Sequence, residues 1–280
     1  MVPHNVTLHD SRRQLIDFTD RVVFYALGDT PYGAAQKQRF PVQIRALEAR
    51  SEFVVHLGDM MVRNPNQCVN DEYQQVSTML QESVAPVLIV PGDNDWAECS
   101  NSTEAYLLWG KHFHQFEQRW ITNTLQVRHQ EYRPENFAFT HKGVHFVGLH
   151  VLDKGFREYP SLNGIVQDDM DWLRGEQSRI YDHNVGAVVL FAHTFPRSSH
   201  PKLAPLNELL QVTVIAADKP FIFIQGNLHK FTVRNPYPEL NNFLLVSVDM
   251  GRNADPMEVT VDVGSRAPFK LKRRPLTTTS

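Results

Sequence analysis

The stretch VAPVLIVPGDNDW, residues 84–96, decides the fold prediction. Its apolar half is typical of a buried strand, and the Pro-Gly turn that ends this strand presents Asp93, Asn94 and Asp95 on a loop. Four more apolar runs are followed at once by glycine or by a polar side chain: residues 21–27, 53–57, 185–192 and 221–225. The pattern predicts several buried strands whose carboxyl ends carry polar loops.

Helical patterns alternate with these runs, as expected of βαβ units, at residues 34–49, 71–82, 103–119 and 168–181. The second half of the chain departs from this alternation. Residues 136–151 are typical of a hairpin, and strands at 243–249 and 258–263 have no helix between them. The sequence therefore predicts an α/β fold with two packed sheets and flanking helices rather than one doubly wound sheet.

The length of 280 residues, of which 42% are apolar, is enough for one domain with a sizeable core. We expect an N-terminal extension over residues 1–20, one domain over 21–265 and a C-terminal tail over 266–280, whose polar residues 273–280 have no pattern and should be frayed. The net charge of −3 gives no reason to expect general nucleic-acid binding. The same charge gives no reason to expect binding to an anionic membrane, so we expect a small-molecule or phosphorylated substrate as the partner. No apolar run approaches the length of a membrane span, so we expect none.

The two cysteines leave the compartment open. Cys68 and Cys99 each lie shortly after a strand that ends in an aspartate, so a disulfide between them and two free thiols are both compatible with the sequence. A disulfide would favour a secreted or periplasmic protein, and free thiols would favour a cytoplasmic one.

Five loops carry the candidate functional residues, and all follow predicted strands. They contain Asp29, Asp59, Asp93, His193 and the pair Asn227 and His229. Because the carboxyl ends of strands in α/β proteins meet at one edge, we expect these side chains to converge. A glycine precedes each of the three aspartates and Asn227, and would permit positive φ or close backbone approach. Oxygen and imidazole donors together suit Mn, Fe, Zn or Mg.

The order of these motifs resembles that of the calcineurin-like metallophosphoesterases over roughly residues 21–250. That family's motifs run D-x-H, G-D-x-x, G-N-H-E/D, a lone His after a strand, then G-H-x-H. The chain is similar to a divergent member, because Pro31, Asn94 and Asn227 stand where the family has histidines and Asp93 stands where it has asparagine. The resemblance implies a four-layer α/β/β/α sandwich of two mixed sheets flanked by helices.

The resemblance also implies two sets of metal ligands. One ion would take Asp29, Asp59 and His229, with water or Tyr32 filling a further position. The other would take Asp59, Asp93, His193 and, through its carbonyl oxygen, Asn227. Three carboxylates contribute a charge of about −3, so one divalent ion leaves about −1 and two leave about +1. Only the second case attracts phosphate, so we expect a binuclear site with two divalent ions if the protein acts on phosphate.

Asn94 raises the question of the proton donor, because a carboxamide can orient a phosphate but cannot transfer a proton near neutral pH. His150, at the end of a predicted strand, is a candidate substitute, although a histidine there is also typical of a structural residue. We expect Asp95 to orient Asn94 or a ligand histidine rather than to react. Arg63 and Lys230 are candidate substrate cations or ordinary surface charges.

Two functional hypotheses follow. The first is a metal-dependent hydrolase of phosphate monoesters or diesters, with a binuclear centre and a metal-bound hydroxide as nucleophile. The alternative is a degenerate member of the same fold that binds metal or a phosphorylated ligand without turning it over. The three substituted positions favour the alternative, whereas the retained order of the motifs favours the hydrolase.

Overall fold

The computed structural model describes residues 21–61, 64, 66, 68–153, 162–197 and 199–276. Twelve strands lie in these ranges: β1 (Val22–Leu27), β2 (Phe53–His56), β3 (Val87–Ile89), β4 (Arg128–His129), β5 (Phe137–His141), β6 (Val144–Gly148), β7 (Ala187–Ala192), β8 (Phe221–Gln225), β9 (Thr232–Arg234), β10 (Phe243–Ser247), β11 (Ala254–Val261) and β12 (Phe269–Pro275). The five α-helices described are α1 (Gly33–Arg45), α2 (Asn70–Leu80), α3 (Ser102–Phe113), α4 (Leu162–Ile180) and α5 (Ala204–Ala217). A π-helical turn (Asp93–Ala97) and a 3-10 turn (Phe116–Arg119) precede and follow α3.

The strands form two mixed sheets. The first sheet has the order β12-β11-β1-β2-β3, in which β1, β2 and β3 are parallel and β11 and β12 are antiparallel to their neighbours. The second has the order β4-β5-β6-β7-β8-β10-β9, with a parallel centre from β6 to β10. An isolated bridge between Gly28 and Met250 joins the ends of β1 and β10. The loops after the parallel strands of both sheets are thereby held at one edge.

Three apolar layers hold the sheets and helices together, as the alternation of side chains along each strand requires. Phe24 of β1 points into the space between the sheets, where it stacks on Phe53 at 4.7 Å and meets Phe146 edge to face. Its neighbour Tyr25 points the other way, into the layer beneath the first three helices. On the far side, α4 and α5 cover the second sheet, with Leu210 of α5 fully buried there. The result is a four-layer α/β/β/α sandwich, which confirms the predicted fold class.

The predicted helices and strands are found with modest changes of their ends. Three features were missed: α5, the short edge strands β4 and β9, and β12. The last corrects the expected tail over residues 266–280, since Phe269–Pro275 pairs with β11 as an edge strand. Its alternation of basic and apolar side chains matches one exposed and one packed face, and its lysines suit an edge that must avoid further pairing.

Cys68 and Cys99 form a disulfide with a Cα–Cα distance of 6.0 Å. It connects the segment after the Asp59 loop to the segment after the Asp93 turn. Within the described ranges, none of the helices combines the length and the hydrophobicity that a membrane span requires.

Candidate metal centre

The candidate site lies where the parallel strands of both sheets end. Asp29 follows β1, Asp59 follows β2, Asp93 follows β3 and His193 follows β7, while Asn227 and His229 follow β8. Four of these residues have left-handed backbone conformations: Asp29 (φ 54°), Asp59 (φ 57°), Asn227 (φ 59°) and His229 (φ 58°). Such conformations cost about 1–3 kcal/mol each in a residue with a side chain and persist where the surroundings over-determine them. Their grouping here marks this edge as a functional site.

Two of the preceding glycines allow the loops to approach one another closely. A Cβ on Gly92 would lie 2.2 Å from the backbone nitrogen of Asp59. Gly58 has φ of +83°, and a Cβ there would lie 2.3 Å from the nitrogen of Gly92. The Asp59 and Asp93 loops can therefore touch backbone to backbone only because both positions are glycine.

The first cluster contains Asp29, Asp59 and His229, whose potential ligand atoms all lie within 4.8 Å of one another. His229 Nε2 is 3.1 Å from Asp29 Oδ1. The other oxygen of Asp29 is buried and has no hydrogen-bond partner among the described residues. A buried carboxylate oxygen without a donor is costly unless a cation faces it, so this set fits a divalent ion.

The second cluster contains Asp59, Asp93 and His193, also within 4.8 Å of one another. His193 Nε2 lies 3.5 Å from Asp59 Oδ1 and 3.8 Å from Asp93 Oδ1. All three side chains are buried, whereas the His229 side chain of the first cluster is 45% exposed. The two clusters share Asp59, which places it where a bridging ligand would stand.

The tautomer of His193 suits a metal ligand. Its Nδ1 is 2.8 Å from the carbonyl oxygen of Leu57, and since a carbonyl only accepts, Nδ1 carries the hydrogen. In the neutral ring the lone pair is therefore on Nε2, which faces the carboxylates and has no hydrogen-bond partner among the described residues. A backbone acceptor behind a histidine is the usual way in which proteins orient a metal-binding imidazole.

The carboxylates in and around the second cluster also favour a positive charge there. Burial alone would lower the pKa of His193, but the carboxylates of Asp59, Asp29 and Asp93 outweigh burial and raise this pKa to about 9. Burial raises the pKa of Asp59, and the neighbouring acids Asp93, Asp95 and Asp29 add to that increase. A divalent cation would take the place of the proton that the cluster otherwise holds.

Asp59 is also fixed by two neutral donors. Tyr32 Oη donates to Asp59 Oδ2 at 2.9 Å, and Asn94 Nδ2 donates to the same oxygen at 2.8 Å. Asn94 Nδ2 is in addition 3.3 Å from Tyr32 Oη, and the backbone N–H of Asn94 donates to Asp59 Oδ1 at 3.0 Å. Both amide hydrogens of Asn94 are therefore engaged within the site, where Asn94 orients Asp59.

Asp95 lies behind the cluster and holds two loops together. Its carboxylate accepts hydrogen bonds from the backbone N–H groups of Gly92 (2.7 Å), Asp59 (2.9 Å) and Met60 (2.7 Å). The orienting role predicted for Asp95 is directed at this backbone rather than at Asn94 or a histidine.

Asn227 lies beside the second cluster, with Nδ2 3.3 Å from Thr194 Oγ1 on the His193 loop. This contact directs the nitrogen of the amide at Thr194 and leaves the carbonyl oxygen as the end that could face an ion. Lys230 is solvent-exposed. Arg63 lies outside the described residues, so its predicted contact with substrate stays a prediction.

His150 makes its side-chain hydrogen bonds with residues outside the two ligand clusters. Its Nδ1 lies 2.8 Å from Glu135 Oε1, and its Nε2 accepts from Trp96 Nε1 at 3.1 Å. With both nitrogens engaged and the ring buried, His150 supports Trp96 of the π-helical turn. These contacts favour the structural role of His150, and its catalytic role stays a prediction.

Sequence reasoning missed His56, which lies at the end of β2 beneath the site. Its Nε2 donates to the carbonyl of Thr30 at 2.8 Å, and its Nδ1 accepts from the N–H of Gly58 at 3.2 Å. Burial lowers the pKa of His56 to about 4, so the ring is neutral and joins the Asp29 and Asp59 loops. The apolar run Phe53-Val-Val-His56 gave a weak signal, namely one polar residue inside a buried strand.

Comparison with solved structures supports the fold. No protein-family model matches the chain, and no curated protein sequence matches it. A dimetal phosphatase from Danio rerio has a TM-score of 0.59 at 14% identity, over 91% of this chain and 96% of that one. GAP50, the anchor in the inner membrane complex of Plasmodium, has a TM-score of 0.53 at 12% identity, over 92% and 90%.

A 5'-nucleotidase from Candida albicans has a TM-score of 0.53 at 13% identity, over 91% of this chain but 52% of that one. This chain therefore spans about half of the nucleotidase. At these identities the likeness shows a shared fold, that of metallophosphoesterase structures, and the two ligand clusters carry the argument about function.

Proposed function

We propose that this chain is a metal-dependent phosphoester hydrolase with a binuclear centre. The observation that carries the proposal is that Asp59 belongs to two ligand clusters, one with Asp29 and His229 and one with Asp93 and His193. Two divalent ions bound there would supply positive charge that polarises a phosphoryl oxygen and acidifies a water. The fold shared with a dimetal phosphatase and a nucleotidase supports the same reading.

The burial of the ligand residues differs between the two sides of the proposed centre. Asp93 and His193 close the buried side of the centre, whereas His229 is partly exposed and marks the side from which a phosphate would enter. Three carboxylates balanced by two divalent ions leave a charge of about +1, which attracts a phosphoester.

The substrates we propose have good leaving groups. Asn94 cannot transfer a proton, and both ring nitrogens of His150 have partners away from the cluster. An aryl phosphodiester, whose leaving group departs without a proton, suits such a site better than an alkyl phosphate.

The second candidate is a non-catalytic member of the fold that binds metal or a phosphorylated ligand. The observation that favours it is that Asn94 is hydrogen-bonded to Asp59 and Tyr32, so its amide hydrogens serve the site itself. The likeness to GAP50, described as an anchor, is compatible with this candidate but shows only the fold.

One experiment separates the two candidates. Metal content per chain is measured by elemental analysis on protein purified without chelator, alongside hydrolysis of an activated aryl phosphodiester and an alkyl phosphate with Mn added. The hydrolase proposal expects bound metal, faster turnover of the aryl diester, and loss of both metal and turnover in Asp59→Asn. Asp171→Asn, on an exposed face of α4, is the matched control and should change neither. Bound metal with no turnover under any divalent ion would favour the binding protein.

We also propose a secreted or periplasmic location, because the Cys68–Cys99 disulfide requires an oxidising compartment to persist. Mass spectrometry of alkylated protein from its native source tests this. Two alkylated cysteines would contradict it.

A further inference from the structure

The carboxylate of Asp59 has little capacity left for two ions. A carboxylate offers about four lone-pair positions on its two oxygens. Tyr32 and Asn94 fill both positions of Oδ2, at 2.9 and 2.8 Å, and the backbone N–H of Asn94 fills one position of Oδ1 at 3.0 Å. One position remains, on the oxygen that lies 3.5 Å from His193 Nε2. Asp59 can therefore bind one ion on the His193 side without losing a hydrogen bond.

The surroundings of the two clusters also favour tighter binding of the ion on the His193 side. Asp93 and His193 are buried, and His193 is held in its metal-binding tautomer by Leu57. On the other side His229 is 45% exposed. Among the described residues of that cluster, a second ion would have Asp29 and His229 as uncommitted ligands. To use Asp59 as well, it would have to displace Tyr32, Asn94 or both from Oδ2.

We propose that the centre loads its two ions unequally. The buried cluster of Asp59, Asp93 and His193 holds one ion tightly, and Tyr32 and Asn94 act as a clamp on Asp59 Oδ2 that competes with the second ion. This inference rests on the metal-binding part of the proposed function and adds a control over the second site. It also revises the expected part of Tyr32, which is a competitor for Asp59 rather than the missing ligand. Full activity would then require free divalent metal in solution.

The clamp has a specific test, which is calorimetric titration of Mn²⁺ into the chelator-treated full chain. The wild type should show two phases whose affinities differ by at least about tenfold, and elemental analysis after desalting should find one ion per chain. Tyr32→Phe removes one donor from Oδ2, so it should tighten the weaker ion by about tenfold and leave the tighter ion unchanged. Asn94→Ala should act in the same direction through the other donor. Tyr132→Phe, at an exposed tyrosine, is the matched control.

The opposite results would overturn the proposal. Two ions of equal affinity in the wild type would show that the hydrogen bonds to Oδ2 do not compete. A weaker second ion in Tyr32→Phe would make Tyr32 a ligand. Thermal unfolding of each variant checks that the chain folds, and if one of the two variants does not fold, titration of the other remains decisive. Failure of the hydrolase proposal is distinguishable, since unequal loading without any phosphodiester turnover would leave the clamp standing.

Discussion

The carboxylate of Asp95 fixes the backbone of Asp59, although the two residues lie on different loops. Asp95 Oδ2 accepts the N–H of Asp59 at 2.9 Å, and its other oxygen accepts the N–H of Met60 at 2.7 Å. The first oxygen also accepts the N–H of Gly92 within its own loop. A buried carboxylate that accepts three backbone donors sets the distance between the Asp59 and Asp93 loops, and hence the geometry of the second cluster.

Asp95→Asn should therefore weaken both the fold and metal binding. One amide nitrogen must replace an acceptor oxygen and will face at least one backbone N–H, leaving buried donors unpaired. We expect a loss of about 1–3 kcal/mol in unfolding free energy and about 10–100-fold in metal affinity. Denaturant unfolding and calorimetry measure these. Asp171→Asn, with an exposed carboxylate, should change stability by less than about 0.5 kcal/mol, and equal effects of the two variants would contradict the role of Asp95.

The close approach of the two loops gives a second prediction, at Gly92. A methyl group there would lie 2.2 Å from both the backbone nitrogen and the side-chain Oδ1 of Asp59, and the backbone nitrogen cannot rotate away. Gly92→Ala should cost about 3 kcal/mol or more, as expected for overpacking against a fixed backbone. Gly175→Ala in α4 is the matched control, because no described atom lies within 4 Å of its added Cβ. That variant should stabilise the chain by about 0.5–1 kcal/mol, and melting of both by circular dichroism measures the contrast.

The sequence was sufficient to predict the strand ends that carry the site. Each of Asp29, Asp59, Asp93 and His193 lies within three residues of the end of an apolar run, and the topology of an α/β fold then brings the loops together. The hydrogen bonds that determine the role of each residue in the site could not be predicted from the sequence in the same way. The hydrogen bonds from Asn94 to Asp59 join positions 35 residues apart and depend on how the loops turn.

Two further features were beyond what the sequence could predict, each for a local reason. β12 is a basic, nearly terminal segment whose pairing with β11 is decided by the sheet edge available to it, not by its own hydrophobicity. The assignment of a catalytic part to His150 used only its position at a strand end. Its partner Glu135 lies in the loop between β4 and β5, and nothing in the spacing of the two residues indicates a buried pair.

Glu135 is the acidic partner of His150, and its carboxylate should make a pH-dependent contribution to the free energy of unfolding. Its carboxylate is fully buried and accepts from Tyr106 Oη at 2.7 Å, with His150 Nδ1 at 2.8 Å. Burial alone would raise the pKa of Glu135, but hydrogen bonds from His114 and His150 outweigh it and hold the pKa well below its ordinary value of 4.5. The folded state therefore favours the charged form, so this contribution is present above pH 4.5 and is lost as the pH falls below it.

Glu135→Gln should lower unfolding free energy at pH 7 by about 1–3 kcal/mol, the usual cost of losing hydrogen bonds to a buried charged group. The difference from wild type should shrink between pH 5 and pH 3 as the wild-type carboxylate loses its advantage. Urea unfolding across this range measures it. A difference that is independent of pH would show that Glu135 contributes by packing rather than by charge.

Asp169 should make stability depend on pH in the opposite direction to Glu135. Burial raises its pKa to about 8, although Asn136 Nδ2 donates to its Oδ1 at 2.8 Å. Its Oδ2 has no hydrogen-bond partner among the described residues. The folded state therefore holds a proton that the unfolded state releases above pH 3.8, so stability falls as the pH rises from about 4 to about 8.

Asp169→Asn keeps the acceptor that Asn136 uses and removes the ionisation. We expect it to raise unfolding free energy by about 1–3 kcal/mol at pH 8 and to have little effect at pH 4. Thermal unfolding at the two pH values is the measurement. A variant that is less stable than wild type at pH 8 would mean that Asp169 is charged in the fold and has a cation partner.

The Cys68–Cys99 disulfide should matter for both stability and the site. It closes a segment of 31 residues that contains α2 and β3 and ends just after the Asp93 turn. Loop-closure entropy for that length predicts a stabilisation of about 3–4 kcal/mol. The double variant Cys68→Ser with Cys99→Ser should lose this amount in unfolding free energy, measured by denaturant titration under oxidising conditions. Wild type with a dithiol reductant should match the variant. If reduction leaves the wild-type curve unchanged, the disulfide does not form in solution or contributes nothing.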